Sequence, residues 1–385
     1  MRIGLVSDTF LPEVNGVTTV LAAMRDGLRA RGHEVLVLAP RSPGPASDEP
    51  GVVRSRAVPC PGYPQVRLAW PWGRGLARAL SAFRPDLLHV VTEGPLGLFG
   101  RCWARRRRIP LVTSFHTDFP RYLARYLGRF IEGPTRAYLR WFHQAALATQ
   151  TPSEVVAAEL RALGLERVEV WGRGVDTRRF RPARRTRGRT GGEPVLLLHV
   201  GRLAVEKDVA TLVGAFRAAR ARLGDRVDFV VAGDGPRAAW VRAALPFARH
   251  LGFLDRDRLA DLYADADLFV FPSPTETCGL VVLEAMASGV PVIAADRGGV
   301  QDNLRHGLNG LVVRAGDAEG FAAAIAALVE DASRRRAMGE AARAFAVGRD
   351  WSLELDRLEA FYRRLIPAPR AAAAPRTWPT TTSVT

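Results

Sequence analysis

Short apolar runs alternate along this chain with longer stretches whose apolar residues recur at helical spacing. Residues 2–7 form the first apolar run, and after Asn15-Gly16 a helical pattern covers about 17–31. Gly32 closes that helix, and 33–39 reads as the next strand. Further strands are predicted at 86–91 and 111–115, with an arginine-rich helix between them. Residues 41–62, rich in Pro, Gly and Ser, read as a loop, and 120–147 reads as helix with a break at Gly133-Pro134. Strand then helix, repeated, is the pattern of a parallel α/β fold.

The pattern is interrupted at 181–193, RPARRTRGRTGGE, which holds almost no apolar residue and reads as a linker. A second α/β series follows, with strands predicted at 195–200, 227–232, 268–271 and 292–295. The last helical pattern covers about 352–365, and beyond Pro367 a tail of Ala, Pro and Thr reads as disordered. The expected organisation is a first domain at 1–180, the linker 181–193 and a second domain at 194–350. A helix at 351–366 crosses back to the first domain, and the tail is 367–385. Two open parallel sheets in succession make a cleft, and such sheets bind ligands at the carboxyl ends of their strands.

A chain of 385 residues suits two cores rather than one. No window holds 18 uninterrupted apolar residues, which excludes a spanning helix, and the first residues lack the regions of a signal peptide. Cys60, Cys102 and Cys278 are few, odd in number and scattered. They argue against a disulfide framework or a zinc site and for a reducing, cytoplasmic compartment. The net charge of +16 first suggests nucleic acid. Yet Lys207 is the one lysine among 55 basic residues, so the arginine reflects a GC-rich coding bias. No zinc-finger or RNA-recognition signature accompanies it, and no nucleic-acid partner is expected. A lysine retained in a chain that otherwise writes Arg marks a position needing a compact ammonium.

Two segments carry chemistry. The strand at 195–200 ends in Gly201-Arg202-Leu203-Ala204-Val205-Glu206-Lys207, which puts two cations in the loop before a helix. Arg binds a diphosphate in two-pronged fashion, Lys acts as a point charge, and the helix N-terminus adds positive potential. After the strand at 268–271 comes Pro272-Ser273-Pro274-Thr275-Glu276-Thr277-Cys278-Gly279-Leu280, then a helix carrying Glu284. Glu276 and Glu284 can each accept from vicinal hydroxyls of a sugar, and the amides of Cys278, Gly279 and Leu280 can cradle phosphate. On spacing alone, Glu284 reads equally well as a glutamate complementing a helix dipole. In the first domain, His116 ends a strand, and Asp8 and Glu93 lie near strand ends. Asp8 also suits the capping of a turn. A dinucleotide oxidoreductase would need Gly-x-Gly-x-x-Gly after the first strand, where this chain has Asp8-Thr9-Phe10-Leu11-Pro12.

Glu276-x7-Glu284, with Gly201-Arg202…Lys207 and Gly233-Asp234-Gly235-Pro236, resembles the family 4 retaining glycosyltransferases. The runs from Ala285 to Ala294, Gly298-Gly299-Val300 and Gly307-x2-Gly310 fit the same family. So do Asn15-Gly16-Val17 and Thr113-Ser114-Phe115-His116-Thr117-Asp118, and the similarity runs from residue 1 to about 365. The resemblance implies two Rossmann-like domains facing a cleft, the B-type glycosyltransferase fold. It is nearest in flavour to mannosyltransferases that use GDP-mannose on lipid acceptors, with sulfoquinovosyl-lipid synthases as relatives. By it, Arg202 and Lys207 hold the donor diphosphate, Glu276 binds donor-sugar hydroxyls and Glu284 the ribose. Gly16 lets the first helix's amides approach the diphosphate, and His116 stands beside the transferring sugar. Base recognition runs through backbone near Gly252-Phe253-Leu254. Asp8, Glu93 and Asp118 are candidates for acceptor contact. Family members often have a second glycine where this chain has Asn15, and many carry Phe at Cys278.

The implied reaction leaves negative charge on a nucleoside diphosphate, at which Arg202, Lys207 and helix N-termini are aimed. No Asp-x-Asp motif sits at a strand end, so no metal and no cofactor beyond the nucleotide-sugar co-substrate are expected. Front-face attack, with the leaving phosphate helping to deprotonate the acceptor, fits retention and the lack of a protein nucleophile. Residues 119–142, FPRYLARYLGRFIEGPTRAYLRWF, interleave Arg with aromatics at helical spacing. That suits an anionic membrane surface at the inner face of the cytoplasmic membrane, and a lipid or glycan acceptor. A UDP-sugar donor (glucosyl, N-acetylglucosaminyl or sulfoquinovosyl) or a soluble acceptor is the alternative within the class.

Overall fold

A computed structural model describes residues 1–13, 15–41, 49–60, 63–70, 74–116, 128–188 and 193–366. The chain divides into two units. One takes Met1–Pro152, Ala157–Trp171 and the segment from Glu354 onward; the other takes Ser153–Val156 and Gly172–Leu353.

The first unit is built on β1 (Arg2–Val6), β2 (Glu34–Pro40) and β3 (Val52–Ser55), then the antiparallel pair β4 (Ala57–Cys60) and β5 (Tyr63–Ala69). β6 (Leu87–Val90), β7 (Leu111–Ser114), β8 (Ala148–Thr151) and β9 (Val168–Val170) follow. Among the described residues, seven of these strands form one parallel sheet in the order β3-β2-β1-β6-β7-β8-β9. β1, β2 and β6 are apolar at nearly every position and almost wholly buried, because helices cover both faces of such a sheet. The helix Gly16–Ala30 starts in a capping box. Asn15 Oδ1 accepts from the Thr18 amide at 2.9 Å, and Thr18 Oγ1 accepts from the Asn15 amide at 2.9 Å.

Two readings of this half change. The expected loop at 41–62 contains β3 and β4, whose short apolar pairs are hidden among Pro and Gly. The expected break at Gly133-Pro134 is instead the first turn of a helix, Glu132–His143, where a proline's missing N–H costs nothing. The C-terminal helix, Trp351–Leu365, joins this unit from Glu354 onward. Tyr362 Oη lies 2.6 Å from His89 Nδ1, Trp171 Nε1 donates to Glu354 O at 2.8 Å, and Arg31 pairs with Asp356 at 2.8 Å.

The second unit contains β10 (Val195–Val200), β11 (Val227–Ala232), β12 (Arg249–Gly252), β13 (Leu268–Phe271), β14 (Val292–Ala295) and β15 (Gly310–Val313). They form a parallel sheet in the order β12-β11-β10-β13-β14-β15. Alternation along β10 feeds two cores: Leu197 packs with Leu212, Phe216 and Ile325, and Leu198 with Phe269, Leu283 and Met286. Residues 181–188 of the expected linker lie against this unit. Arg184 pairs with Asp261 at 2.7 Å and Arg185 with Asp267 at 2.8 Å. Residues 189–192 of that segment, and the tail 367–385, lie outside the described residues.

In each sheet the strand order reverses beside the first strand, between β1 and β6 and between β10 and β13. Open α/β sheets bind ligands at such a reversal, beyond the carboxyl ends of the strands. Both segments singled out for chemistry in the second unit leave the sheet at the β10–β13 reversal.

Candidate active site

The loop after β10 is shaped by glycines on its neighbour. Gly233 has φ +128°, and a Cβ there would stand 1.9 Å from Gly201 O; Gly235 would meet Leu203 O at 2.5 Å. The Gly233-Asp234-Gly235-Pro236 turn therefore lies flat on residues 201–203, and the Leu203 amide donates to Asp234 O at 3.0 Å. Gly201 is different. A Cβ there would meet nothing closer than His199 Nε2 at 3.5 Å, so protein packing does not demand the glycine.

Arg202 is two-fifths exposed, and its guanidinium stands 3.9 Å from the buried Glu206 carboxylate. Thr275 Oγ1 donates to Glu206 O at 2.8 Å, which ties the β10 loop to the β13 loop. Lys207, on the short 3₁₀ turn Val205–Lys207, forms an ion pair through Nζ with Glu276 Oε1. The Glu276 backbone is fixed from behind: the Gly299 amide donates to Glu276 O at 2.7 Å, and a Cβ on Gly298 would meet the same oxygen at 2.6 Å.

The helix Leu280–Ala287 begins beside this pair. Its N-cap is Gly279, left-handed at φ 75°, and no side chain caps the first amides. A helix start leaves amides without partners in the helix; here the Val282 amide is taken by Gly279 O at 3.0 Å, and the amides ahead of it are the ones placed for an anion. Leu280 is the first helical residue and Cys278 is buried, its thiol pushed up to about 11 by burial. Asn303 Nδ2 donates to Cys278 O at 2.8 Å. Glu284 lies in the second turn, mostly buried, 3.8 Å from the Arg256 guanidinium. Burial pushes its carboxyl up to about 7, with Arg256 and Tyr263 opposing. Phe253 is exposed just beyond β12, while Leu254 packs against the core.

The candidates of the first unit sit at the ends of β1, β6 and β7. Gly16 opens its helix. Asp8 takes the start of the helix Pro95–Arg107: Oδ1 accepts from the Leu96 amide at 2.8 Å, and Oδ2 accepts from Thr92 Oγ1 at 2.8 Å. Burial raises its pKa against those bonds. Glu93 is buried 3.3 Å from His143 Nε2, and Tyr138 Oη donates to Glu93 O at 2.6 Å. His116 is buried two residues past β7. Asp118, and residues 119–127 of the basic aromatic stretch, lie outside the described residues. Among the described residues, no three His, Cys, Asp or Glu side chains cluster as a metal site, and no helix is long and apolar enough to cross a membrane.

Four neighbours of the site were not singled out by sequence reasoning: His199, Glu206, Arg256 and Tyr263. A histidine inside an all-apolar strand was the one available signal, at His199. Nothing in the spacing of Arg256 and Tyr263 connects them to Glu284.

Comparison with known proteins identifies the family. Residues 14–179 match the model of Glycosyltransferase Family 4, and residues 194–331 that of Glycosyl transferases group 1. A GDP-mannose-dependent alpha-mannosyltransferase of Mycobacterium tuberculosis is 36% identical over 375 residues, 94% of this chain and 96% of that protein. A sulfoquinovosyl transferase of Arabidopsis thaliana is 33% identical over 341 residues, 84% of this chain and 66% of that protein. In fold, sucrose-phosphate synthase from Thermosynechococcus elongatus matches with a TM-score of 0.79 at 21% identity, over 94% of this chain and 98% of that one. With its paired Rossmann-like sheets and a relative of that identity along nearly its whole length, the chain belongs to family 4 of the glycosyltransferases, enzymes of the B-type fold.

Proposed function

We propose that this glycosyltransferase moves mannose from GDP-mannose to a lipid-linked or glycolipid acceptor with retention of configuration. The observation that carries the donor half is the grouping of Arg202, Lys207 and the uncapped start of the helix Leu280–Ala287 at the β10–β13 reversal. Breaking the anomeric bond puts negative charge on the nucleoside diphosphate. Two cations and a set of backbone amides stabilise it, and they need no reorganisation to do so. Glu276 takes donor-sugar hydroxyls and Glu284 the ribose. Gly16 serves the diphosphate and His116 the transferring sugar, and Glu93 and Asp118 serve the acceptor side; the Asp8 carboxylate, taken by the Leu96 and Gly97 amides, is left out.

Mannose and guanine rest on the mycobacterial relative, 36% identical along nearly the whole chain. A lipid acceptor is supported by the surface of the helix Glu132–His143. Arg136 and Arg140 are exposed there, Trp141 is about half exposed, and Phe130 just before it is largely exposed. A second reading, a sulfoquinovosyl donor on UDP, is favoured by the Arabidopsis relative. A donor screen with hydrolysis as readout separates them. GDP-mannose turned over at least tenfold faster than any UDP-sugar supports the first reading; the reverse order replaces it with the second. Flotation with liposomes tests the acceptor half, with binding expected only when anionic lipid is present.

A further inference from the structure

His199 stands where the second sheet divides. The paired residues of β10 and β13 are Leu197 with Leu268 and Leu198 with Phe269. One residue further on, the side chain of His199 spans the strands in place of the backbone. Its Nδ1 lies 2.9 Å from Val270 O, and its ring stacks on Phe271 with 6.1 Å between centroids and 19° between planes. A carbonyl oxygen only accepts, so Nδ1 carries the proton and Nε2 presents a lone pair. The residue is 1% exposed, and Nε2 meets no hydrogen-bond donor among the described residues. That atom faces Gly201, 3.5 Å from where a Cβ would be. Burial, with Lys207 adding repulsion, holds the imidazole down to about 4, so the ring stays neutral across the physiological range.

We infer that His199 is a positioning residue for sugar transfer, a strut between β10 and β13 that sets the spacing of the Arg202–Lys207 loop and the Glu276 loop. The inference rests on the donor reading above. The ring lies at the root of both loops, and each side of it has a job. Nδ1–H holds the β13 end, while ring bulk and the Nε2 edge support Gly201 from below. Its neutrality matters too, because a charged imidazole there would repel Lys207.

Three measurements test it. His199→Phe keeps the ring and its stacking but loses the bond to Val270 O; His199→Asn keeps a donor at the place of Nδ1. The Phe variant is expected to lose at least tenfold in kcat while still folded at the assay temperature, its melting temperature lowered by the unpaired Val270 carbonyl. The Asn variant is expected to stay within about threefold of wild type. In wild-type enzyme with ¹⁵N-labelled histidine, the His199 resonances should report the neutral Nδ1–H tautomer down to pH 5.5, and Nε2 should shift when GDP or UDP is added. Wild-type kcat in the Phe variant, an Asn variant as poor as the Phe variant, or an Nε2 resonance unmoved at saturating nucleotide overturns the inference. If the Phe variant does not fold, the NMR measurement decides alone. Calorimetry with GDP and UDP on the wild type keeps the two readings apart: no binding of either nucleotide sinks the donor reading, whereas binding without response at His199 sinks only the strut.

Discussion

Lys207 and Glu276 neutralise one another: the ammonium on the β10 loop donates to the carboxylate on the β13 loop, both side chains being mostly buried. Under the proposed function these same groups meet the diphosphate and the sugar of the donor. Donor binding therefore exchanges one ion pair for two sets of contacts. It follows that Glu276→Gln releases Lys207 for phosphate. The expected outcome is a variant that binds free nucleoside diphosphate about fivefold more tightly, the worth of a modest ion pair, while its transfer rate falls by about a hundredfold or more. Calorimetry and a transfer assay read the two effects separately. Weaker nucleotide binding in this variant would show that the pair does not compete with the donor.

Under the proposed function, Arg202→Ala and Lys207→Ala each remove one cation from the place where charge develops. Each is expected to lower kcat by about 10²–10³-fold with an unchanged circular dichroism spectrum. Arg202 is two-fifths exposed, so its loss leaves no core defect. Lysine at position 202 should restore little, since a point charge cannot bind two phosphate oxygens in parallel.

Glu284 gives a pH dependence whose sign is fixed by burial. Its carboxyl is pushed up to about 7, above the unfolded value, so the folded enzyme holds a proton that the unfolded chain has lost between about 4.5 and 7. This residue accordingly costs stability as pH rises through that window. Glu284→Gln is expected to be more stable than wild type at pH 8, by on the order of 2 kcal/mol, and to lose that advantage by pH 5. Its donor KM should rise severalfold. In the wild type, donor KM should rise as pH falls below about 7, because the protonated acid is a poorer acceptor for ribose hydroxyls. Melting curves at two pH values and a KM–pH profile check both; a KM flat from pH 8 to 5.5 would remove Glu284 from the ribose.

Tyr362 fastens the C-terminal helix to the first unit through a 2.6 Å bond to fully buried His89, whose other nitrogen lies 2.6 Å from Ser114 Oγ. Tyr362→Phe leaves the ring packed and strands one imidazole nitrogen. The expected cost is about 1–3 kcal/mol in chemical denaturation, with nucleotide binding to the second unit unaffected. A variant as stable as wild type would show that the bond is replaced by water.

Much of this was legible beforehand, for physical reasons. Strands such as 195–200 and 268–271 are buried on both faces, so each is a continuous apolar run that pattern alone reveals. β12 escaped notice because it is an edge strand, Arg249-His250-Leu251-Gly252, half exposed and without an apolar run. β4, which contains Pro59, was hidden because a proline inside so short a run reads as a turn. The cations and carboxylates of the second unit were legible because strand ends at a sheet reversal carry ligand chemistry in any such fold. Their pairing was not: nothing in a separation of 69 residues says that Lys207 faces Glu276. Nor does sequence show that Asp8 is spent on the amides of Leu96 and Gly97, since a carboxylate after a strand looks the same whether it caps a helix or waits for a ligand.

The most direct test is a crystal structure of the enzyme with GDP bound. The expected result puts the β-phosphate within hydrogen-bond reach of Arg202, Lys207 and the first amides of the helix Leu280–Ala287, with Lys207 drawn away from Glu276. A nucleotide found elsewhere, with the Lys207–Glu276 pair intact and Arg202 turned to solvent, would contradict the assignment on which the proposed function stands.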